Sequence, residues 1–246
     1  MNRAELHAHI ADASRILAGL GILDAFGHVS TRAPDGMDRF LMSRSLAPAL
    51  VRPEDVIELD LDGRCVSDPE AKPFLERFIH AEIYRRRPDV GAVVHSHCPD
   101  VLPFTVVAAA RVRPICHVCG FLAGTPPPFD LAVHAGEGTD LLIRESRMGA
   151  ALAQHLGERA VVLMRGHGYT AVGADIIQAT FRAVYTARNC RIEREARVLG
   201  EPTFLSDAEA AACDATTNGQ IGRAWALWRN EWGLRGPEES MTRTNP

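Results

Sequence analysis

The sequence predicts an α/β domain in which helices cover a mainly antiparallel sheet. Residues 89–94, Asp-Val-Gly-Ala-Val-Val, form a short apolar run after the Pro88 break, with the length and content of an interior strand. Residues 26–32 and 39–43 are β-prone stretches joined across Pro34-Asp35-Gly36, the pattern of an antiparallel hairpin. Residues 4–20 and 175–199 repeat apolar side chains at helical spacing. A chain of 246 residues with 46% hydrophobic content can bury the core of one large domain.

The first helix carries Ile10, Ala13, Ile16, Leu17 and Leu20 on one face and stops at Gly21, with His7 and His9 expected toward solvent. A tight glycine turn at Gly27 enters the hairpin, whose return strand ends in Ser43-Arg44-Ser45. Another strand follows at 56–60 before Asp62-Gly63. Pro73 opens a helix over 74–85 that places Glu76 and His80 one turn apart on a common face, and Arg85-Arg86-Arg87 reads as its solvated end. Residues 114–129 are loop-like. Cys116-His-Val-Cys119 has the spacing of a zinc knuckle or redox pair, but no second pair follows, which favours ordinary reduced thiols. A helix over 147–156, an all-apolar strand over 160–164 and the long helix over 175–199 complete the pattern. We divide the chain into a catalytic domain, 1–205, and a helical tail, 206–246, that packs on it or on a neighbouring subunit. The tail's Trp225, Trp228 and Trp232 form one stripe suited to core or interface.

Chemistry concentrates at Val93-Val94-His95-Ser96-His97. Side chains two apart on a strand leave the same face, so both imidazoles can point at one divalent metal just beyond the buried run. The alternative is a pair of hydrogen-bonded core histidines. A third ligand is best supplied by Arg165-Gly166-His167-Gly168, which follows an apolar strand and has glycines that permit close backbone approach. Three imidazoles with an open position is a catalytic count rather than a structural one.

The formal charge of -4 argues against general attraction to nucleic acid or anionic membranes. Cysteines at 65, 98, 116, 119, 190 and 213 form no tight framework, the amino terminus lacks a signal-peptide pattern, and no apolar stretch reaches the roughly 18 residues of a span. These features predict a cytoplasmic protein acting on small molecules. Walker and dinucleotide fingerprints are absent, and neither a nicotinamide nor a pyridoxal group is expected.

Gly27-His28-Val29-Ser30, Glu76-xxx-His80-xxx-Tyr84, Val94-His95-Ser96-His97 and Gly166-His167-Gly168, in this order over about residues 5–200, resemble the class II aldolase and adducin family. The resemblance implies a three-layer α/β/α fold around a mainly antiparallel sheet, one divalent metal per subunit on His95, His97 and His167, and tetramers with sites between subunits. It also implies that Glu76 is the acid/base and can occupy a metal position. Zn2+ or Mn2+ suits such ligands, as do Fe2+ and Co2+.

The departures from the family's sugar-phosphate aldolases are informative. Those enzymes cradle phosphate with an Asn after the first Gly, a Thr-Pro-Ser-Gly loop and a Ser-Ser pair before the Glu. Here the matching stretches read His28, Met42-Ser43-Arg44-Ser45 and Phe74-Leu75. Phosphate donors are replaced by apolar walls. Arg44 and Arg77, with Ser43 and Ser45, offer a carboxylate clamp, and Phe74 and Phe26 can flank a flat ring. This looks like the family's decarboxylase branch, which acts on hydroxylated aromatic dicarboxylates resembling dihydroxyphthalate or a hydroxymethylpyridine dicarboxylate in aromatic catabolism. Structural ion pairing of both arginines is the competing reading. Glu76, beside apolar neighbours expected to raise its pKa, is the first choice of proton donor and His28 the second. Aldol cleavage of a hydroxy-carbonyl or sugar phosphate is the alternative activity, and a non-catalytic adducin-like interaction module the third.

Overall fold

Helix α1 (Arg3–Gly19) begins at a two-way cap: Glu5 N–H donates to the Asn2 side chain at 2.9 Å and Asn2 N–H donates to the Glu5 carboxylate at 2.8 Å. The computed structural model describes residues 1–136 and 138–234. Strands β1 (His28–Arg32) and β2 (Arg39–Ser43) form the expected hairpin, with Ser30 opposite Met42, and β3 (Val56–Asp60) pairs with β2. Helix α2 (Arg77–Arg86) then leads into β4 (Ala92–Ser96).

The connection that follows carries the short helices α3 (Leu102–Val106) and α4 (Ala132–Ala135) and a 3-10 turn at His117–Leu122, where loop was expected. Helix α5 (Ser146–Leu156) precedes β5 (Val161–Met164) and β6 (Gly168–Gly173). Helices α6 (Ile176–Leu199), α7 (Asp207–Asn218) and α8 (Ile221–Trp232) follow.

The six strands make one sheet in the order β3-β2-β1-β4-β6-β5, and each neighbouring pair is antiparallel. Alternation of side chains then builds three layers. Ala92 and Val94 of β4 pack into one core with α1, α6 and α8, while Val93 packs into the other with α2 and α5. Because β4 lies between β1 and β6, His28 stands opposite His95 on one side and Thr170 on the other. That row lies on the face covered by α2.

Several local expectations are corrected. Helix α2 starts at Arg77, so Glu76 is its N-cap rather than part of its first turn. Its carboxylate is engaged outside the helix, where it accepts from Ile143 N–H at 3.0 Å. Strand β6 was not expected. The stretch Tyr169 to Val172 returns beside β5 as a hairpin, and a Cβ on Gly168 would collide with the Ser96 carbonyl. The tail holds two helices rather than one, broken around Gly219, and residues 235–246 of that tail lie outside the described residues. His7 and His9 are half-buried instead of solvent-facing: His7 Nδ1 donates to Pro53 O at 3.2 Å, and the His9 ring meets Trp225 edge-on. The Cys116 and Cys119 sulfurs lie 3.1 Å apart at the 3-10 turn.

Trp225 and Trp228 belong to the core shared by α1 and α6, whereas Trp232 remains 43% exposed and lies over Gly19. Replacing Trp228 with Ala should therefore cost about 3 to 5 kcal/mol in chemical denaturation. A loss below about 1 kcal/mol would show that this ring contributes no core packing.

Candidate metal centre

The strand β4 delivers His95 fully buried at its end, and His97 follows on the same face just beyond it. The β5–β6 turn brings His167 to them from the neighbouring hairpin. The Nε2 atoms converge: His95 to His97 is 2.9 Å, His97 to His167 is 2.9 Å, and His95 to His167 is 3.3 Å. Glu76 Oε2 lies 3.3 Å from His167 Nε2 and 3.6 Å from His95 Nε2. One ligand atom from each of Glu76, His95, His97 and His167 lies within 4.8 Å of all the others.

The outer hydrogen bonds show which nitrogens face the centre. His167 Nδ1 is 2.8 Å from Leu141 O, a pure acceptor, so Nδ1 carries the proton and Nε2 turns a lone pair inward. His95 Nδ1 meets Thr170 Oγ1 at 3.2 Å, and the Thr170 hydroxyl is directed at Met164 Sδ, so this imidazole is set the same way. Lone pairs and a carboxylate gathered so closely repel one another unless a cation lies among them. Three nitrogens and one oxygen fit a borderline divalent metal. Burial holds His95 well below its ordinary pKa and lowers His97, keeping both neutral for ligation. Burial also pulls His167 down, but the hydrogen bond and charge of Glu76 outweigh it and leave a net rise.

One short segment that was not singled out in the sequence supports two of these groups. Leu141 O holds His167, and Ile143 N–H holds Glu76 Oε1. Leu141 takes φ 65°, an uncommon conformation for a side chain of that size, and such strain persists only where surrounding contacts impose it. No residue pattern in the sequence marks it.

Beside the ligands lies a cavity of about 370 Å³ lined by Phe26, His28, Ser45, Phe74, Leu75, Glu76, His97 and Leu142, among others. The Phe74 and His28 rings are 4.6 Å apart, and Phe26 and His97 are 6.4 Å apart. Of the residues expected to contact substrate, the structure brings Phe26, Ser45 and Phe74 to the cavity. Ser43 is buried on β2 and is not part of the lining. Arg44 pairs with Asp55 at 2.7 Å, and Arg77 donates to Gly63 O at 2.6 Å and Phe74 O at 3.0 Å. Neither arginine reaches the cavity lining.

Residues 8–193 match the family model of the class II aldolase and adducin N-terminal domain. The chain is a member of the class II aldolase and adducin family. It is 39% identical over 233 residues to decarboxylase tropJ of Talaromyces stipitatus, covering 85% of this chain and 87% of that protein. It is 32% identical over 190 residues to a 3,4-dihydroxyphthalate decarboxylase of Arthrobacter keyseri, covering 71% and 72%. The fold is similar to a solved L-fuculose 1-phosphate aldolase of Glaciozyma antarctica, with TM-score 0.75, 20% identity and coverage of 95% and 93%. Metal dependence is general in this family, and the Glu76/His95/His97/His167 cluster is the arrangement here that can hold an ion.

Removing one imidazole should cost most of the metal affinity, so His95→Ala and His97→Ala are each expected to lose at least about tenfold in affinity. Elemental analysis after dialysis measures this, and full occupancy in both variants would remove them from the ligand set. A second expectation concerns pH. Burial lowers His80 to about 3 in the fold, while the unfolded chain takes up that proton near 6.5. The contribution of His80 to stability is therefore whole above pH 6.5 and is lost as pH falls toward 3. In His80→Gln the fall of stability across this window should be shallower by up to one proton, ~1.4 kcal/mol per pH unit. Equal slopes would mean that His80 is charged in the native protein.

Proposed function

We propose that the protein is a divalent-metal-dependent carbon–carbon lyase that removes carbon dioxide from a hydroxylated aromatic acid. One observation carries this reading over aldol cleavage of a sugar phosphate: the two residues directly before Glu76 are Phe74 and Leu75, and both line the cavity as apolar walls. A phosphate there would lose its water without gaining donors, whereas a flat ring gains dispersion and burial. The decarboxylase relatives support the same branch.

A divalent ion would be held by His95, His97 and His167, with Glu76 as a ligand only in the absence of substrate, and would supply a Lewis acid for charge that develops on a substrate oxygen. The chain's residues do the rest. Phe26 and Phe74 orient the ring, and Phe74, Leu75 and Leu142 exclude water from it. Glu76 adds a proton to the ring carbon that bears the carboxylate. Carbon dioxide then leaves, the electrons of the broken bond return to the ring, and aromaticity is restored. Glu76 is reprotonated from solvent, so the balance is carboxylate plus proton to arene plus carbon dioxide.

Among the described residues no lysine or arginine lines the cavity. Within one subunit a second carboxylate of the substrate would therefore meet no arginine clamp, and Arg44 and Arg77 are not what would select a dicarboxylate. Phe26 is 65% exposed and Leu75 57% exposed at the cavity rim, apolar surface that a second copy would cover in a tetramer with sites between subunits.

The decisive experiment supplies ortho-hydroxybenzoic acids with one or two carboxylates to the metal-loaded protein and measures carbon dioxide. Release that is lost in Glu76→Gln supports the reading. Cleavage of a sugar phosphate with no carbon dioxide from any aromatic acid would replace it with the aldolase activity. Arg44→Met is expected to leave the ratio between the two acid classes unchanged and to lower stability by about 1 to 3 kcal/mol, because the buried Asp55 carboxylate loses its charged partner. A changed ratio would return Arg44 to the substrate.

A further inference from the structure

Behind His28, on the side away from the cavity, buried polar side chains continue a line of hydrogen bonds into the layer between the sheet and α2. His28 Nδ1 lies 2.7 Å from His80 Nε2, His80 Nδ1 lies 2.6 Å from Ser30 Oγ, and Ser30 Oγ lies 2.7 Å from the Tyr84 hydroxyl. His80 and Ser30 are fully buried, and His28 and Tyr84 nearly so. The line has one open end, at the cavity wall, which His28 helps to form.

Its closed end sets its polarity. The Tyr84 hydroxyl pairs with Ser30 among the described residues, so its proton must go to Ser30 Oγ or point at nothing in a buried site. Ser30 then accepts from Tyr84 and donates its own proton to His80 Nδ1. His80 is held neutral by burial, at about 3, and therefore carries a single proton. With Nδ1 accepting, that proton is on Nε2 and is donated to His28 Nδ1. Reversing the line would strand the Tyr84 O–H without an acceptor.

We propose that His80, Ser30 and Tyr84 are positioning residues that lock His28 as its Nε2–H tautomer, making it a fixed hydrogen-bond donor to the substrate oxygen on which negative charge builds. The identity of that oxygen, the ring-hydroxyl oxygen toward which the electrons of the broken bond return, rests on the decarboxylase reading. The tautomer does not. The line holds a proton and does not deliver one: passing Nε2–H to substrate and refilling it from behind would end in a Tyr84 phenolate, and burial raises that phenol far above its usual range. His28 thus keeps its proton, and Glu76 remains the sole proton donor to carbon. The donor acts where charge develops, so its loss should appear in kcat rather than in KM.

The test uses full-length protein labelled with 15N in histidine, both metal-free and loaded with zinc, with His28 assigned by the resonance that disappears in His28→Gln. The expected spectrum shows unprotonated Nδ1 and protonated Nε2 at His28 in both states. Replacing Ser30 by Ala together with Tyr84 by Phe removes both hydroxyls with little change of shape, and His28 should then become a mixture of tautomers. With an ortho-hydroxybenzoic acid, kcat of this double variant should fall by about tenfold to a hundredfold while KM stays within about twofold. A proton on His28 Nδ1 in the wild type overturns the proposal whether or not the double variant folds. An equal fall in kcat/KM arising from KM alone overturns the catalytic role. Wild type with the expected tautomer but no turnover of any aromatic acid would instead sink the decarboxylase reading and leave the tautomer standing.

Discussion

His95 is clamped from both sides by backbone ladders, and the rest of the site takes its geometry from that clamp. Strand β1 fixes His28 opposite it, β6 fixes Thr170 opposite it, and the strand's own alternation sends His97 to the same face. A residue at the end of an edge strand would have one ladder and more freedom of twist. An interior position converts the spacing of two histidines into a fixed pair of directions, because a shift of one residue would turn both imidazoles into the opposite core. The same register places Ser30 beneath α2, within reach of His80 and Tyr84.

The cluster combines groups that oppose one another. Three imidazole nitrogens and a carboxylate oxygen crowd together in a mostly buried place, and His95, His167 and Glu76 are each oriented by a second hydrogen bond that prevents them from turning away. Leu141 and Ile143 contribute backbone groups to this, and Leu141 does so in a left-handed conformation that favours glycine. Pre-organisation of this kind trades local backbone energy for a fixed ligand set.

The fate of the arginines separates chemistry by residue type from chemistry by position. Arg44 and Arg77 are near the site in sequence, and either is able to grip a carboxylate. Arg44 faces Asp55 across the turn after β2, and Arg77, at the first position of α2, folds back onto the carbonyls of Gly63 and Phe74. A guanidinium takes the acceptors that its backbone direction allows, and here those directions lead away from the cavity. What remains in the lining is aromatic and aliphatic, with His28, Ser45, Glu76 and His97 as polar groups.

The α/β class, the hairpin, the interior strand and the family resemblance are determined by local pattern in the sequence. They depend on alternation, helical spacing and turn residues within windows of a dozen residues, and the histidine pair advertises itself because period-two spacing on a strand has one geometric meaning. Strand β6 escaped that reading because Gly168 to Gly173 is short and bounded by glycines that also suit a loop, and its strand character comes from pairing with β4 and β5. The position of Glu76 outside α2, the support from Leu141 and Ile143, the buried line from His28 to Tyr84 and the diversion of both arginines were decided by tertiary structure alone. Each joins groups far apart in the chain or depends on where a long side chain finds its nearest acceptor, and neither fact has a signature in residue order.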